Sequence, residues 1–336
     1  MTNSNIQYHL LSGFEDPQVS PEVWNELLSQ GSGDVVFMTW YWQKTWWEIF
    51  GRGKLLLIMA VKDNQPVAIA PLFSDEGMIF FVGSGGSDYL DIVGDISNPE
   101  IVTGLLNVAI ANTPGVLGLR FYHIPPASQT KNIIDSTAKN LGWDCFDEGG
   151  LNCSLLSIKD FPELTSAATS KKSLLRHEAW FNRNGGTQVQ HFTHSIDILP
   201  QLEAFFEQHI ARWAVTPFPS LFLDPLQRRF YKELCEAASD TGWLRFTVVL
   251  WQQQAIAFHF GMNYKGSFLW YKPSFDITLA KHSPGEVLLR QLLLNAIEEH
   301  AAYFDFGLGD EAFKNRFASS TQSVTNIGLY PPSTTK

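Results

Sequence analysis

The sequence predicts an α/β chain of two mixed-sheet modules in tandem, each sheet flanked by helices. Three observations carry this expectation. Residues 266–314 read as strand, loop, helix, strand, turn and helix, with short apolar runs of strand length on either side of a helix-spaced apolar stretch. The two halves of the chain repeat one another in element order. The length of 336 residues, with 45% hydrophobic and 17% charged, is enough for two domains with good cores. The boundary is drawn between residues 164 and 165, giving modules 1–164 and 165–336.

Taken in order, residues 21–30 form a short helix after Ser20. Residues 39–50 form a second, dense in Trp40, Trp42, Trp46 and Trp47, which suit a core or an interdomain wedge. Residues 54–62 and 66–73 make a hairpin around Asp63-Asn64-Gln65, and 78–82 a strand. Gly83-Ser84-Gly85-Gly86-Ser87 is a flexible turn before a strand at 89–93. A helix at 99–111, a strand at 117–122, a helix at 133–141 and an extended segment at 152–158 complete the first half.

In the second half, residues 170–184 are helical and carry Lys171, Lys172, Arg176 and Arg183, closed by Gly185-Gly186. That basic run suits a solvated helix face, or one that meets phosphates. After a strand at 189–192 come an amphipathic helix at 199–213, another at 225–239, and a hairpin over 244–260. Residues 267–271 are an aromatic strand. Ser283-Pro284-Gly285-Glu286 then opens a helix, with Ser283 as N-cap, Pro284 in the first turn and Glu286 at the positive end. Residues 303–306 form the next strand.

The repeat is visible residue by residue. Asp63-Asn64-Gln65 before Val67-Ala68-Ile69-Ala70 lies opposite Gln252-Gln253-Gln254 before Ala255-Ile256-Ala257-Phe258. Gly77 then falls opposite Gly266. After a shift of four residues, Asn98-Pro99-Glu100 meets Ser283-Pro284-Gly285, each ahead of an apolar helix and a strand. Agreement of turns and element order together indicates a tandem duplication.

A net charge of −10 argues against a large nucleic-acid footprint, because phosphate neutralisation needs a basic face. Cys145, Cys153 and Cys235 have no metal-ligand spacing and fit no closed disulfide framework, so a reduced, cytoplasmic setting is expected. The opening residues 1–17 lack a signal-peptide pattern, and the longest aliphatic run, 55–61, is too short to span a bilayer. No His/Cys/carboxylate cluster predicts a metal and no G-x-S-x-G elbow occurs.

The carrying residues of a family resemblance are Asp88-Tyr89-Leu90-Asp91; His209 with Arg212-Trp213; Tyr271 with Phe275-Asp276; Ser283-Pro284-Gly285; and Asp305-Phe306-Gly307 with Gly309-Asp310-Glu311 and Lys314. In this order, over residues 20–330, the chain resembles the tandem GNAT acyltransferases of the CelD/BcsL type, related to the FemAB aminoacyl ligases. The usual glycine-rich loop of GNAT enzymes is absent; Lys281-His282-Ser283-Pro284-Gly285 stands in its place.

The resemblance implies transfer of an acyl group, acetyl or longer, from acyl-CoA to an amine or hydroxyl of a small molecule or saccharide precursor. Acyl-CoA would be held as donor near Ser283, Pro284, Gly285 and Glu286, where a helix start favours anions. Asp305, His209 and Tyr271 are the expected acid–base groups, and Arg212, Trp213, Phe275, Asp88, Asp91 and Lys314 the expected acceptor contacts. Each has a structural alternative: Asp305 as a cap or partner of Lys314, His209 as a buried helix histidine, Arg212 as an ion pair, Tyr271 as sheet core. Two other readings stay open. One is Fem-like transfer from aminoacyl-tRNA; the other is a non-catalytic accessory protein of exopolysaccharide synthesis. DNA binding and membrane insertion are not expected.

Overall fold

A computed structural model describes residues 6–332; the first five residues of the amino-terminal stretch considered above lie outside the described residues. In chain order the elements are β1 (Ile6–Leu10), α1 (Pro21–Gln30), α2 (Trp40–Phe50), β2 (Lys54–Lys62), β3 (Gln65–Asp75), β4 (Met78–Phe81), β5 (Val93–Gly94), α3 (Pro99–Ala111), β6 (Gly118–Ile124), α4 (Thr130–Leu141) and β7 (Asp144–Asp147). There follow β8 (Asn152–Ser157), α5 (Pro162–Thr169), α6 (Lys172–Arg183), β9 (Thr187–Phe192), α7 (Ser195–Trp213), α8 (Pro225–Ala237), β10 (Leu244–Trp251), β11 (Gln254–Tyr264) and β12 (Ser267–Phe275). The chain ends with α9 (Pro284–Glu298), β13 (Tyr303–Leu308), β14 (Ser320–Ser323) and β15 (Thr325–Tyr330).

Two mixed α/β units result, with the GNAT fold. One comprises Met1–Asn152 with Ser323–Lys336, the other Cys153–Gln322. The first sheet runs β1-β2-β3-β4-β6-β15-β7, with β5 pairing β3 beyond the end of β4. The second runs β14-β8-β13-β12-β11-β10-β9. Each sheet therefore takes a strand from the other end of the sequence. Strand β8 pairs antiparallel with β13, and β15 pairs antiparallel with both β6 and β7. This exchange puts the division at 152/153 rather than 164/165 and returns the carboxy-terminal strand to the first unit.

The repeated turns are alike in backbone as well as order. Asp63 and Asn64 have φ of 50° and 62°; Gln252 and Gln253 have 50° and 63°. Glu76-Gly77 and Lys265-Gly266 match in the same way, at 49° and 81° against 48° and 79°. Paired positive φ values are what a two-residue hairpin needs to follow the strand twist. Helix starts are equally local: Asp224 accepts from Leu226 N at 2.9 Å ahead of Pro225, and Asn98 accepts from Glu100 N at 3.0 Å ahead of Pro99.

Some expected elements differ. Residues 89–92 form no strand; they are a buried irregular segment, and only Val93–Gly94 pairs with β3. The helix expected after Gly309 is a single 3₁₀ turn at Lys314–Arg316. The tryptophan-rich α2 belongs to the first core: Trp42 is fully buried, donates Nε1 to Ser87 Oγ at 2.9 Å, and Trp46 and Trp47 both pack on Phe73.

The second sheet is covered on both faces. Phe246, Phe258 and Phe260 pack against Phe205 of α7 and Tyr231 of α8. On the other face Phe268, Trp270, Phe304 and Phe306 join Val287, Leu288 and Leu292 of α9. Among the described residues no helix is long and apolar enough to cross a membrane, and no group of three or more His, Cys, Asp or Glu could hold a metal.

Candidate active site

Strands β12 and β13 run parallel but pair only over Ser267↔Tyr303, Phe268↔Phe304 and Leu269↔Asp305. Beyond Leu269 they part, while β12 stays paired with β11 as far as Ala257↔Phe275. The parting begins at a β-bulge, where the β11–β12 register shifts between Phe260 and Met262. His259, fully buried, fills the bulge: its Nε2 accepts the Tyr271 backbone N–H at 3.2 Å. Burial pushes its pKa down to about 3, which keeps the ring neutral and able to accept. Gly261 makes the room, since a Cβ there would lie 2.1 Å from His259 Cε1.

A cavity of about 230 Å³ lies beside the part of β12 that follows its last pairing with β13. Trp270, Pro273, Ser274 and Phe275 of β12 line it, as do Leu288 and Leu289 of α9. Arg212 of α7, Ser283, Gly285 and Glu286 at the start of α9, and Phe313 and Phe317 also line it. A mostly apolar cavity with a few convergent polar groups has the character of a small-molecule site.

Those polar groups are unusual in their partners. Arg212 donates Nη1 to the Pro273 carbonyl at 2.9 Å and lies 4.6 Å from the Phe275 ring centroid and 5.4 Å from that of Trp213. Among the described residues it forms no ion pair; burial lowers its pKa, and Glu311, which opposes that, is itself bonded to Lys314 at 2.8 Å. Ser274 is fully buried and its Oγ has no hydrogen-bond partner. Glu286 bonds Arg316 through Oε1 at 3.1 Å; its Oε2 is buried without a hydrogen-bond partner, 3.6 Å from His177 Nε2.

The start of α9 is braced by α6. Arg290 pairs with Glu178 at 2.8 Å, Arg316 donates to Ser173 Oγ at 2.7 Å, and Trp180 stacks on His282 with centroids 3.4 Å apart. Of the basic run in α6, Lys171 lies over Phe317, 5.4 Å from its ring. Ser283 differs from expectation. It has φ 55° and makes no side-chain cap; its carbonyl instead accepts from Glu286 N and Val287 N. Two of the N–H groups expected to greet an anion are thus turned back on the chain. Gly285 faces the Phe275 ring, with a notional Cβ 3.1 Å away.

The other expected residues are distributed as follows. Arg212, Phe275, Ser283, Gly285 and Glu286 all line the cavity, whereas Asp305, His209, Tyr271, Trp213, Pro284 and Lys314 are not among its lining residues. His209 is buried, with Nδ1 2.7 Å from Ser220 Oγ, its ring against Phe222 and Trp213. Burial, with Arg212 and Lys272 adding, lowers its pKa to about 3, which removes the basicity a proton acceptor needs. Asp305 is nearly buried at the last β13 position paired with β12 and accepts the Gly307 N–H at 2.8 Å. Lys314, 3% exposed, is held by Glu311 and by the Leu308 carbonyl at 2.7 Å. Tyr271 lies in the sheet beside Tyr231. Asp88 and Asp91 belong to the first unit. Asp91 is fully buried there and accepts from Thr130 Oγ1 at the start of α4 and from the Ile92 N–H at 2.8 Å.

Sequence reasoning missed Ser274 and His259. The available signals were a small polar residue on a buried strand, and a histidine two residues before a strand glycine.

Residues 168–315 match the family described as Acetyltransferase (GNAT) domain. No curated protein matches the sequence. Among solved structures, FemX superposes with a TM-score of 0.66 at 12% identity, over 93% of this chain and 96% of that one. The L-PGS of Bacillus licheniformis gives 0.56 at 13% identity, over 94% and 92%. A tandem GNAT protein from the clavulanic acid biosynthesis pathway gives 0.54 at 10% identity, over 98% and 99%. At these identities the likeness is one of fold.

Proposed function

We propose that the second unit transfers an acyl group from an acyl thioester, acyl-CoA being the expected donor, to an amine or hydroxyl acceptor. The observation that carries this reading is the cavity between the unpaired end of β12 and the first turns of α9. The match of residues 168–315 to the acetyltransferase domain supports the same reaction class. An extended thioester arm suits the gap between two parted strands, because the free strand edges offer backbone partners along it. Phosphates would lie outside, toward exposed Lys281 and half-buried His282, rather than on the N–H groups of Glu286 and Val287.

In this reading the acceptor nitrogen or oxygen forms its bond to the acyl carbon as the carbon–sulfur bond breaks, and the thiolate departs. The proton shed by the nucleophile goes to the carboxylate of Glu286, a cavity-lining residue whose Oε2 accepts no hydrogen bond among the described residues. Arg316 on Oε1 holds that carboxylate in one orientation. Much of the acceleration comes from holding two reactants together, for which apolar walls and one oriented carboxylate suffice.

The test is calorimetric titration with acetyl-CoA and longer acyl-CoAs, repeated on Gly285→Trp. Micromolar binding, about −8 kcal/mol, that is lost when the indole fills the cavity beside Phe275 is the expected result. Failure of every acyl-CoA to bind the intact protein would overturn the donor. A second reading, transfer from aminoacyl-tRNA, is favoured by one feature: basic α6 is packed on the start of α9. It predicts tRNA binding that weakens steeply with salt.

A further inference from the structure

We propose that Arg212 anchors a carboxylate of the acceptor, so that the acceptor is a small carboxylic acid with an apolar body that also bears the nucleophilic amine or hydroxyl. This rests on the acyl-transfer reading above and narrows its acceptor. The first argument is charge. A half-buried guanidinium that forms no ion pair among the described residues is a cation awaiting an anion, because burial without a counter-ion costs free energy. Arg212 is held in place for this by the Pro273 carbonyl and the Phe275 ring, so little is lost in ordering it on binding.

The second argument is the fully buried Ser274 hydroxyl, which lines the same cavity and has no partner. Buried polar groups are nearly always hydrogen-bonded, so an orphan on a cavity-lining residue marks where a ligand atom completes the set. The third argument is valence. With Nη1 committed to Pro273, the guanidinium has one remaining edge, which matches the two oxygens of a carboxylate. Among the described residues no second cation lines the cavity, which favours a monoanion over a phosphate dianion.

The body of the acceptor is set by the walls. Trp270, Leu288, Leu289 and Phe317 exclude a strongly hydrated group such as a free sugar and suit an aromatic or branched aliphatic one. Glu286, whose Oε2 accepts no hydrogen bond among the described residues, lines the same cavity from the first turn of α9. An amino acid with an apolar side chain has all three features: a carboxylate for Arg212, an apolar body, and an amine that can lose its proton to Glu286.

The experiment measures direct binding of 3-phenylpropionate, 3-phenylpropanol and phenyl phosphate by calorimetry to the wild type, Arg212→Met and Ser274→Ala. The carboxylate should bind about tenfold more tightly than the alcohol, as expected for one charge-assisted contact. Arg212→Met should abolish that difference, and Ser274→Ala should weaken the carboxylate roughly fivefold, the value of one hydrogen bond. Equal binding of carboxylate and alcohol, tighter binding of phenyl phosphate, or carboxylate binding that survives Arg212→Met overturns the proposal. Should Arg212→Met fail to fold, unchanged carboxylate affinity in Ser274→Ala overturns it as well. Acyl-CoA titrated into Arg212→Met separates the two readings. Retained donor binding with lost carboxylate binding isolates the acceptor site, whereas no donor binding to the wild type sinks the transfer reaction and leaves the phenylpropionate comparison standing.

Discussion

In the first unit Ala68 and Ile69 of β3 face Gly94 and Val93; in the second, their counterparts Ala257 and Phe258 of β11 face Phe275 and Ser274. The register is shared, but the strand that supplies it is not. In the second unit β12 is one continuous strand of nine residues. In the first, β4 stops after four residues, and residues 82–92 intervene before Val93–Gly94 takes up the pairing. The space beside the pairing is also used differently. Backbone closes on backbone in the first unit, where a Cβ on Gly31, just past α1, would lie 2.6 Å from Gly94 O. In the second unit the same position carries Phe275 and Ser274, and a cavity stands beside them with Arg212 at its edge. One duplicated frame thus gives a sealed site in one copy and an open one in the other, through a handful of side chains.

The sharpest way to break this comparison is at the glycines that let each site form. Gly94 has φ +103° and a Cβ there would lie 2.3 Å from Val67 O; on Gly261 it would lie 2.5 Å from Leu269 O as well as against His259. Gly94→Ala and Gly261→Ala are each expected to cost about 3 kcal/mol or more, since backbone must move to relieve the clash. Urea unfolding measures the cost, and phenylpropionate titration separates the two. Gly261→Ala should lose the ligand together with the bulge, whereas folded Gly94→Ala should keep it, because independent sites behave additively. Equal loss of ligand in both variants would mean that the sites are not independent.

Much of this frame was legible in the sequence because it is local. Asp63-Asn64 and Gln252-Gln253 announce their hairpins, and Pro99 and Pro225 fix helix starts within a residue. What was not legible is non-local. Strands β7 and β14 are exposed along their whole length and show no alternation to detect. Nothing in the residues of β8 or β15 states that each joins the sheet of the other sequence half. Residues 89–92 met the strand pattern, yet their backbone is irregular: the N–H groups of Leu90, Asp91 and Ile92 go to His123 O, Met38 Sδ and Asp91 Oδ1 rather than to a ladder. At the candidate site the helix start and Arg212 were found, but the acid–base assignment went to residues that turn out to be packed. Burial, which neutralises His209 and ties down Lys314, is a property of the fold and not of the motif.

Buried groups in the two units should also answer pH in opposite directions. In the second, His209 and His259 have pKa values near 3 against an unfolded value of about 6.5, so their neutral forms belong to the folded state. Their contribution is present above pH 6.5 and is lost as pH falls toward 3, at about 1.4 kcal/mol per pH unit for each histidine. In the first unit burial raises the pKa of Asp91, so its contribution is full in acid and declines as pH rises through the folded value. Hydrogen exchange resolved by segment can follow both. Protection in β11 and β12 should fall on acidification, and His209→Phe should flatten that fall by about one proton. Asp91→Asn should raise protection around α4 at neutral pH and make no difference in acid. A parallel response of both units would show that these buried groups do not set it.

The smallest expected effect compares the two copies directly. Val93 is the first unit's counterpart of Ser274, so Ser274→Val gives the open site the residue of the closed one. The hydroxyl removed has no partner, and the added methyl enters a cavity rather than a packed core. Stability should therefore rise, by about 1 kcal/mol, where a bonded serine would have cost a similar amount. Carboxylate affinity should fall at the same time. A more stable protein that binds less well would identify the orphan hydroxyl as a feature kept for a ligand. A less stable one would mean that Ser274 Oγ has a partner in solution, a bound water being the simplest, and that the open site differs from the closed one by hydration rather than by function.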